Sequence, residues 1–151
     1  MGDAAVVPAT VFVYDPAPKY LCDTTDFIAG SAILAGQVVS FAGTGVSWSV
    51  NPCNGVTTAA VVGVALHGAA TGAHVAVAGP GSVILVQNGH DTTTAEAGDI
   101  VQASPTTALG CVTAETDTTE HYQVGILLEA LAASGQAYCL LTPHHYINDG
   151  A

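Results

Sequence analysis

The chain contains two similar stretches, and this internal repeat limits its fold more than any other feature. Residues 35–39 (AGQVV) recur as 97–101 (AGDIV), and residues 62–66 (VGVAL) recur at the same distance as 124–128 (VGILL). Residues 69–72 match 132–135 if one residue is inserted, and Pro80 then matches Pro143. The period exceeds the roughly 20 to 50 residues of a solenoid unit. We therefore predict two repeated β-subdomains, about 35–81 and 97–143, within one domain of residues 31–151.

The pattern of apolar residues predicts an all-β protein, either a compact β-barrel or a sandwich. Short apolar or β-branched runs alternate with Gly and Pro residues, which is typical of strands and turns in such folds. Residues 127–133 are the only stretch with helical propensity, and we expect a strand end followed by a turn there. The predicted strands are 10–14, 38–41, 60–66, 74–77, 83–86, 100–101, 122–128 and 137–141.

Residues 1–30 lie outside the repeat and contain several Pro and Asp residues. We predict an extended N-terminal arm for this segment, and a frayed terminus is the alternative. No basic segment precedes an apolar run at the start, so a signal peptide is not expected. The longest apolar run, residues 59–66, is far shorter than the roughly 20 residues of a membrane-spanning helix.

The charge composition argues against two classes of partner. Charged residues make up 9% of the chain, Lys19 is the sole Lys or Arg, and the net charge is −11. Nucleic-acid affinity depends chiefly on Lys and Arg at phosphates, so we expect no DNA or RNA partner. An anionic membrane surface would repel the chain, so we expect no membrane partner either.

The acidic balance also bears on the source of the protein. At about 1 M salt the Debye length is about 3 Å, which would screen the self-repulsion of so acidic a chain. A halophilic host is one interpretation, and a mesophilic protein of low charge is the other.

The sequence contains none of the motifs that mark common catalytic sites. The segment Gly43-Thr44-Gly45 lacks the third glycine of a dinucleotide site, and neither a phosphate loop nor a Gly-x-Ser-x-Gly elbow is present. Adjacent strand residues point to opposite faces, so His90-Asp91 and His144-His145 are poorly placed to chelate one ion. We therefore predict that the protein is not an enzyme and has no catalytic, cofactor-binding or metal-binding residues. The six histidines are His67, His74, His90, His121, His144 and His145.

The four cysteines show no zinc-binding spacing. They are widely separated and form no Cys-x-x-Cys pair. Four cysteines allow three pairings, and the sequence does not choose among them. Cys139 lies in an apolar run and is predicted to be a buried thiol. The other three are Cys22, Cys53 and Cys111.

The glycine pattern of residues 35–81 resembles a known family. Ala-Gly-x-Val-Val followed by Val-Gly-Val-Ala-Leu-His-x-Ala-Ala-x-Gly is similar to the glycine-rich capsid decoration (cement) proteins of tailed viruses, and residues 97–142 fit the same pattern more loosely. The resemblance implies a compact β-protein, commonly a homotrimer, on the outer capsid surface of the virion. Its partner would be the major capsid protein, whose shell it would stabilise.

A receptor-binding or carbohydrate-binding virion appendage is the alternative function. Such proteins use exposed aromatic platforms, and the Trp and Tyr residues of this chain are few and scattered along the sequence. They are Tyr14, Tyr20, Trp48, Tyr122, Tyr138 and Tyr146.

Overall fold

The computed structural model describes residues 24–43, 47–53, 60–89, 94–104, 110, 112–114 and 121–146. These residues form ten strands and no helix, so the predicted all-β class is confirmed. Residues 127–133 contain a strand end and a turn, as expected. The strands are β1 (Thr24–Ala29), β2 (Val38–Phe41), β3 (Ser49–Pro52), β4 (Val61–Ala65), β5 (His74–Ala78), β6 (Val83–Gln87), β7 (Ile100–Ala103), β8 (Val112–Ala114), β9 (His121–Leu127) and β10 (Gln136–Tyr146).

The first five strands form a closed barrel in the order β1-β3-β2-β4-β5. Strand β1 closes it, because it pairs antiparallel with β5 on one side and parallel with β3 on the other. The remaining pairs, β2 with β3, β2 with β4 and β4 with β5, are antiparallel. We call this unit the first barrel.

Strands β6 to β10 form a second sheet in the order β6-β10-β9-β7-β8. Replacing each strand by the one five places earlier gives β1-β5-β4-β2-β3, which is the strand order of the first barrel. The parallel bridge between Asn88 and Val112 connects the end of β6 with β8, at the place where β1 pairs with β3 in the barrel. The two units therefore share one strand arrangement.

Registers also match between the two units, with a constant offset of 62 residues. Val39 pairs with Gly63, and Val101 pairs with Gly125; each pair is followed directly by a register shift. We call residues related by this offset equivalent. The same offset relates Val38↔Val64 to Ile100↔Ile126, and Ile33↔Ala69 to Ala95↔Leu131.

Two boundaries predicted from the sequence differ from the structure. Residues 24–29 of the predicted arm form β1, since five consecutive residues pair with β5; residues 1–23 lie outside the described residues. The residue inserted to align 69–72 with 132–135 is not seen in the pairing, because Ala69 and Leu131 hold the same bridge position. Strands β1 and β6 lie outside both predicted copies.

The buried residues form two clusters. One lies inside the first barrel and includes Phe27, Val39, Val50 and Val75. The other fills the second sheet and extends to the outer face of the barrel, where it includes Val38, Val64 and Ala78. Strands β2 and β4 are therefore buried on both faces, which explains their nearly continuous apolar sequences.

Candidate functional site

An aromatic patch lies on the first barrel and is formed by Phe27, Phe41 and Trp48. The ring of Phe27 is buried and lies between the other two, with centroid distances of 6.1 Å to Phe41 and 5.9 Å to Trp48. Phe41 is 51% exposed and Trp48 is 64% exposed. Large aromatic surfaces left in water are typical of places where another molecule binds.

The order of the strands brings these three residues together. Strand β3 lies between β1 and β2, so Phe27 on β1, Phe41 at the end of β2 and Trp48 just before β3 meet at one end of the barrel. The Phe27–Phe41 pair is edge-to-face, with an interplanar angle of 76°. Aromatic pairs favour this geometry, which fixes the platform on which Trp48 rests.

Trp48 has an unusual backbone conformation. Its φ is +56°, a region that costs a side-chain-bearing residue roughly 1–2 kcal/mol. The surrounding strands hold it there: the Ile28 N–H donates to the Trp48 carbonyl at 2.7 Å, and the Ala42 N–H donates to the Ser49 carbonyl at 2.9 Å. Strain kept at an exposed tryptophan points to a functional role.

The aromatic residues are thus less scattered than the sequence suggested. Trp48 joins two phenylalanines that the sequence pattern does not connect with it, because Phe27 and Phe41 are distant from it along the chain. Tyr122 and Tyr138 are half-buried in the second sheet. Tyr14, Tyr20 and the side chain of Tyr146 lie outside the described residues.

The second sheet contacts the first barrel through Gly110. The Val38 N–H donates to the Gly110 carbonyl at 2.8 Å, and the Gly110 N–H donates to the Cys53 carbonyl at 2.7 Å. Gly110 has a φ of +78°, and a Cβ at this position would lie 2.7 Å from the Cβ of Gln37. Glycine is therefore needed for the two backbones to approach this closely.

The described histidines do not assemble a reactive site. His67, His74 and His144 are exposed, and His74 Nδ1 lies 3.3 Å from a carboxylate oxygen of Asp26 on the surface. Across the described residues, no group of three or more His, Cys, Asp or Glu side chains is placed to hold a metal ion. His90 and the side chains of His121 and His145 lie outside the described residues.

The cysteines that the structure describes are buried. Cys139 is a free thiol inside the second sheet, as predicted, and its Sγ lies 3.6 Å from the Leu140 carbonyl. Burial raises the pKa of the Cys139 thiol to about 12. Cys53 is also buried, at the contact with Gly110. Cys22 and Cys111 lie outside the described residues.

Comparisons with known proteins give one informative match. No protein-family profile matches the chain. No curated protein matches it. Its fold, however, resembles a phage protein. The solved structure is the head fiber gp8.5 N base of bacteriophage phi29, with a TM-score of 0.52, 12% sequence identity, and coverage of 81% of this chain and 95% of that chain.

The likeness covers nearly all of the phage domain, so it includes both the first barrel and the second sheet. At 12% identity it shows a shared fold. In the described part of the chain, no helix is long and apolar enough to span a membrane.

Proposed function

We propose that the chain is a structural protein of a tailed-virus particle that decorates the outer surface of the head, binds the major capsid protein and stabilises the shell. The observation that carries this proposal is the fold shared with the base of a phage head fiber. The glycine pattern of residues 35–81 supports the same assignment independently, because it resembles capsid decoration proteins.

The surface chemistry of the chain suits such a role. Half of its residues are apolar and 9% are charged, which matches the low charge at the centres of protein interfaces. The aromatic patch gives a rigid apolar contact on one end of the first barrel. We further propose that the protein is a homotrimer, since a chain with this much exposed apolar surface is stabilised by self-association.

The deciding experiment adds the purified protein to heads that lack it and images the particles at subnanometre resolution. We expect density at repeated positions on the outside of the shell, and a higher temperature of genome release. Many weak contacts over a lattice add up, so stabilisation should appear even if each contact is weak. Density confined to the tail or to the interior of the shell would contradict the proposal.

A second candidate is a virion appendage that binds a receptor or a carbohydrate, and the aromatic patch favours it. Exposed aromatic faces stack well on other planar or apolar surfaces, and Trp48 offers one. Replacing Trp48 by Ser tests the two candidates together. Loss of host-cell or glycan binding with normal incorporation into heads would favour the appendage; loss of incorporation would favour decoration.

A further inference from the structure

The contact between the first barrel and the second sheet uses an apolar row on the outside of the barrel. Val38 pairs with Val64, and Val64 pairs with Ala78, so the three lie side by side across β2, β4 and β5. All three are fully buried in the cluster that fills the second sheet. The first barrel therefore presents this row to the rest of the chain, which covers it completely.

The equivalent row on the second sheet is not covered. Ile100 pairs with Ile126, and Ile126 pairs with Leu140, again side by side. Ile100 is 39% exposed, and the other two are partly exposed. Each is larger than its equivalent on the barrel, although a face left in water usually carries polar residues.

Leu128 extends this uncovered row. Its N–H donates to the Tyr138 carbonyl just as the Leu66 N–H donates to the Ala76 carbonyl, so the two leucines are equivalent. Leu66 packs against the cluster that fills the second sheet, whereas Leu128 is 50% exposed. The second sheet thus carries an apolar face whose counterpart on the barrel is buried within the chain.

The surface that covers the barrel row also has an uncovered counterpart. Gly110 of the second sheet makes the contact, and its equivalent on the barrel is Trp48; both have positive φ. Buried Ala103 is likewise equivalent to exposed Phe41. The aromatic patch therefore occupies, on the barrel, the place that the second sheet uses to contact its neighbour.

Together these relationships leave one donor and one acceptor surface open at opposite ends of the chain's internal contact. We propose that a second copy of this chain joins them: Trp48 and Phe41 of one copy bind the face formed by Ile100, Leu128 and Leu140 of the next. The contact continues the one inside the chain and is head-to-tail, so a finite oligomer built from it is a closed ring. It does not depend on the proposed function.

The contact between copies differs from the internal one in one respect. A Cβ at Gly110 would collide with Gln37, and Asp99 is the equivalent of Gln37 in the second sheet. Trp48 carries a Cβ, so the two copies sit further apart than the two halves of one chain. The indole and Phe41 fill the wider gap, which explains why large aromatic residues stand where the second sheet has Gly110 and Ala103.

Trp48 is the sole tryptophan, so its fluorescence reports the contact directly. We expect the emission to shift to shorter wavelength and to resist acrylamide quenching as protein concentration rises, in step with the mass measured by light scattering. Ile100→Asp should raise the dissociation constant at least about tenfold, because it places an unpaired charge in the contact. Leu34→Asp is the matched control: Leu34 is 68% exposed but lies outside the proposed contact, so the variant should associate normally.

A mixing experiment tests the head-to-tail arrangement. Trp48→Ser keeps the second-sheet face, and Ile100→Asp keeps the tryptophan, so neither variant should self-associate. Mixed together, they should form a complex with twice the 15.0 kDa mass of one chain, and the emission should shift to shorter wavelength. The mixed signal also rules out misfolding, since both variants must be folded to restore binding.

Three results would overturn the inference. One is a monomer with fully quenchable Trp48 at every concentration tested. Another is an Ile100→Asp variant that associates like the unmodified protein or like Leu34→Asp. The third is a mixture that restores neither mass nor emission. Binding to heads is measured separately, so each of these results leaves the proposed function to be judged by its own experiment.

Discussion

Gly63 lies so close to the carbonyl oxygen of Ala78 that a Cβ on residue 63 would overlap that oxygen. Gly125 stands in the same relation to Leu140, 62 residues later in both partners. Each glycine sits at the same register position, between β2 and β5 in the barrel and between β7 and β10 in the second sheet. The matching positions of these two glycines in the repeat therefore have a steric cause.

Replacing Gly63 or Gly125 by Ala should destabilise the protein by more than about 3 kcal/mol, because backbone rather than a flexible side chain must move. Gly68→Ala is the matched control, since its Cβ would lie 3.4 Å from the Ile33 carbonyl oxygen, an ordinary contact. We expect this control to change stability by no more than about 0.5 kcal/mol. Urea unfolding of the three variants measures the difference; equal losses would contradict the steric explanation.

Ser134 should be a site of easy stabilisation. It has a φ of +52°, and its equivalent is Gly72 with a φ of +82°. Ser134→Gly removes the cost of a left-handed serine and should raise stability by up to about 1 kcal/mol, partly offset by the greater freedom of glycine in the unfolded chain. The reciprocal change Gly72→Ser should lower it by a similar amount. Thermal melts that move both variants in the same direction would refute the assignment.

Burial of Cys139 predicts a loss of stability at high pH. Its pKa is raised from 9.0 to about 12 in the folded protein, so above pH 9.0 the unfolded chain loses this proton before the folded one does. The stabilisation is complete below pH 9.0 and declines as the pH rises towards 12, by at most about 1.4 kcal/mol per pH unit.

Denaturant midpoints measured from about pH 8 to about pH 11 should show this decline, and Cys139→Ala should show a shallower one. The difference between the two proteins isolates the thiol from the tyrosines, which titrate in the same range at about pH 10. Identical slopes would mean that the thiolate is tolerated in the folded core. A thiol reagent at about pH 8 should modify Cys139 only after unfolding.

Self-association through the aromatic patch should persist in concentrated salt. Apolar contacts do not weaken when the Debye length falls from about 8 Å at 0.15 M to about 3 Å at 1 M, whereas exposed ion pairs do. The dissociation constant from Trp48 emission should therefore stay level or fall between these two salt concentrations. A rise of about tenfold or more would indicate an electrostatic contact instead.

The strands that the sequence predicted are those with strong apolar character. Strand β2 was predicted at its observed bounds, whereas β1, β3 and β8 were missed because they are short or polar. Ser49–Pro52 contains Asn51 and Pro52, which usually argue against a strand. It forms one because β1 and β2 pair with it on both sides.

The aromatic patch could not be found from local sequence, because its members come from three strands whose order is set by long-range pairing. The offset of 62 residues was a usable signal, since the repeat in the sequence already matches Trp48 with Gly110. The aligned glycines pointed elsewhere at one place: Gly135 was matched with Gly72, yet Ser134 holds the left-handed position. A duplicated origin of the two units stays a prediction.

All strands of the first barrel are contiguous in the chain, from Thr24 to Ala78, and none of the second sheet's strands lies between them. The barrel can therefore close while the ribosome is still adding the second half. At about 5–20 residues per second, the stretch from Ala78 to Leu141 takes roughly 3–13 s to synthesise. During that interval the row of Val38, Val64 and Ala78 faces water on the nascent chain. Neighbouring chains on one polysome then compete with the chain's own second sheet for this row, so slow elongation favours mispaired, tangled products.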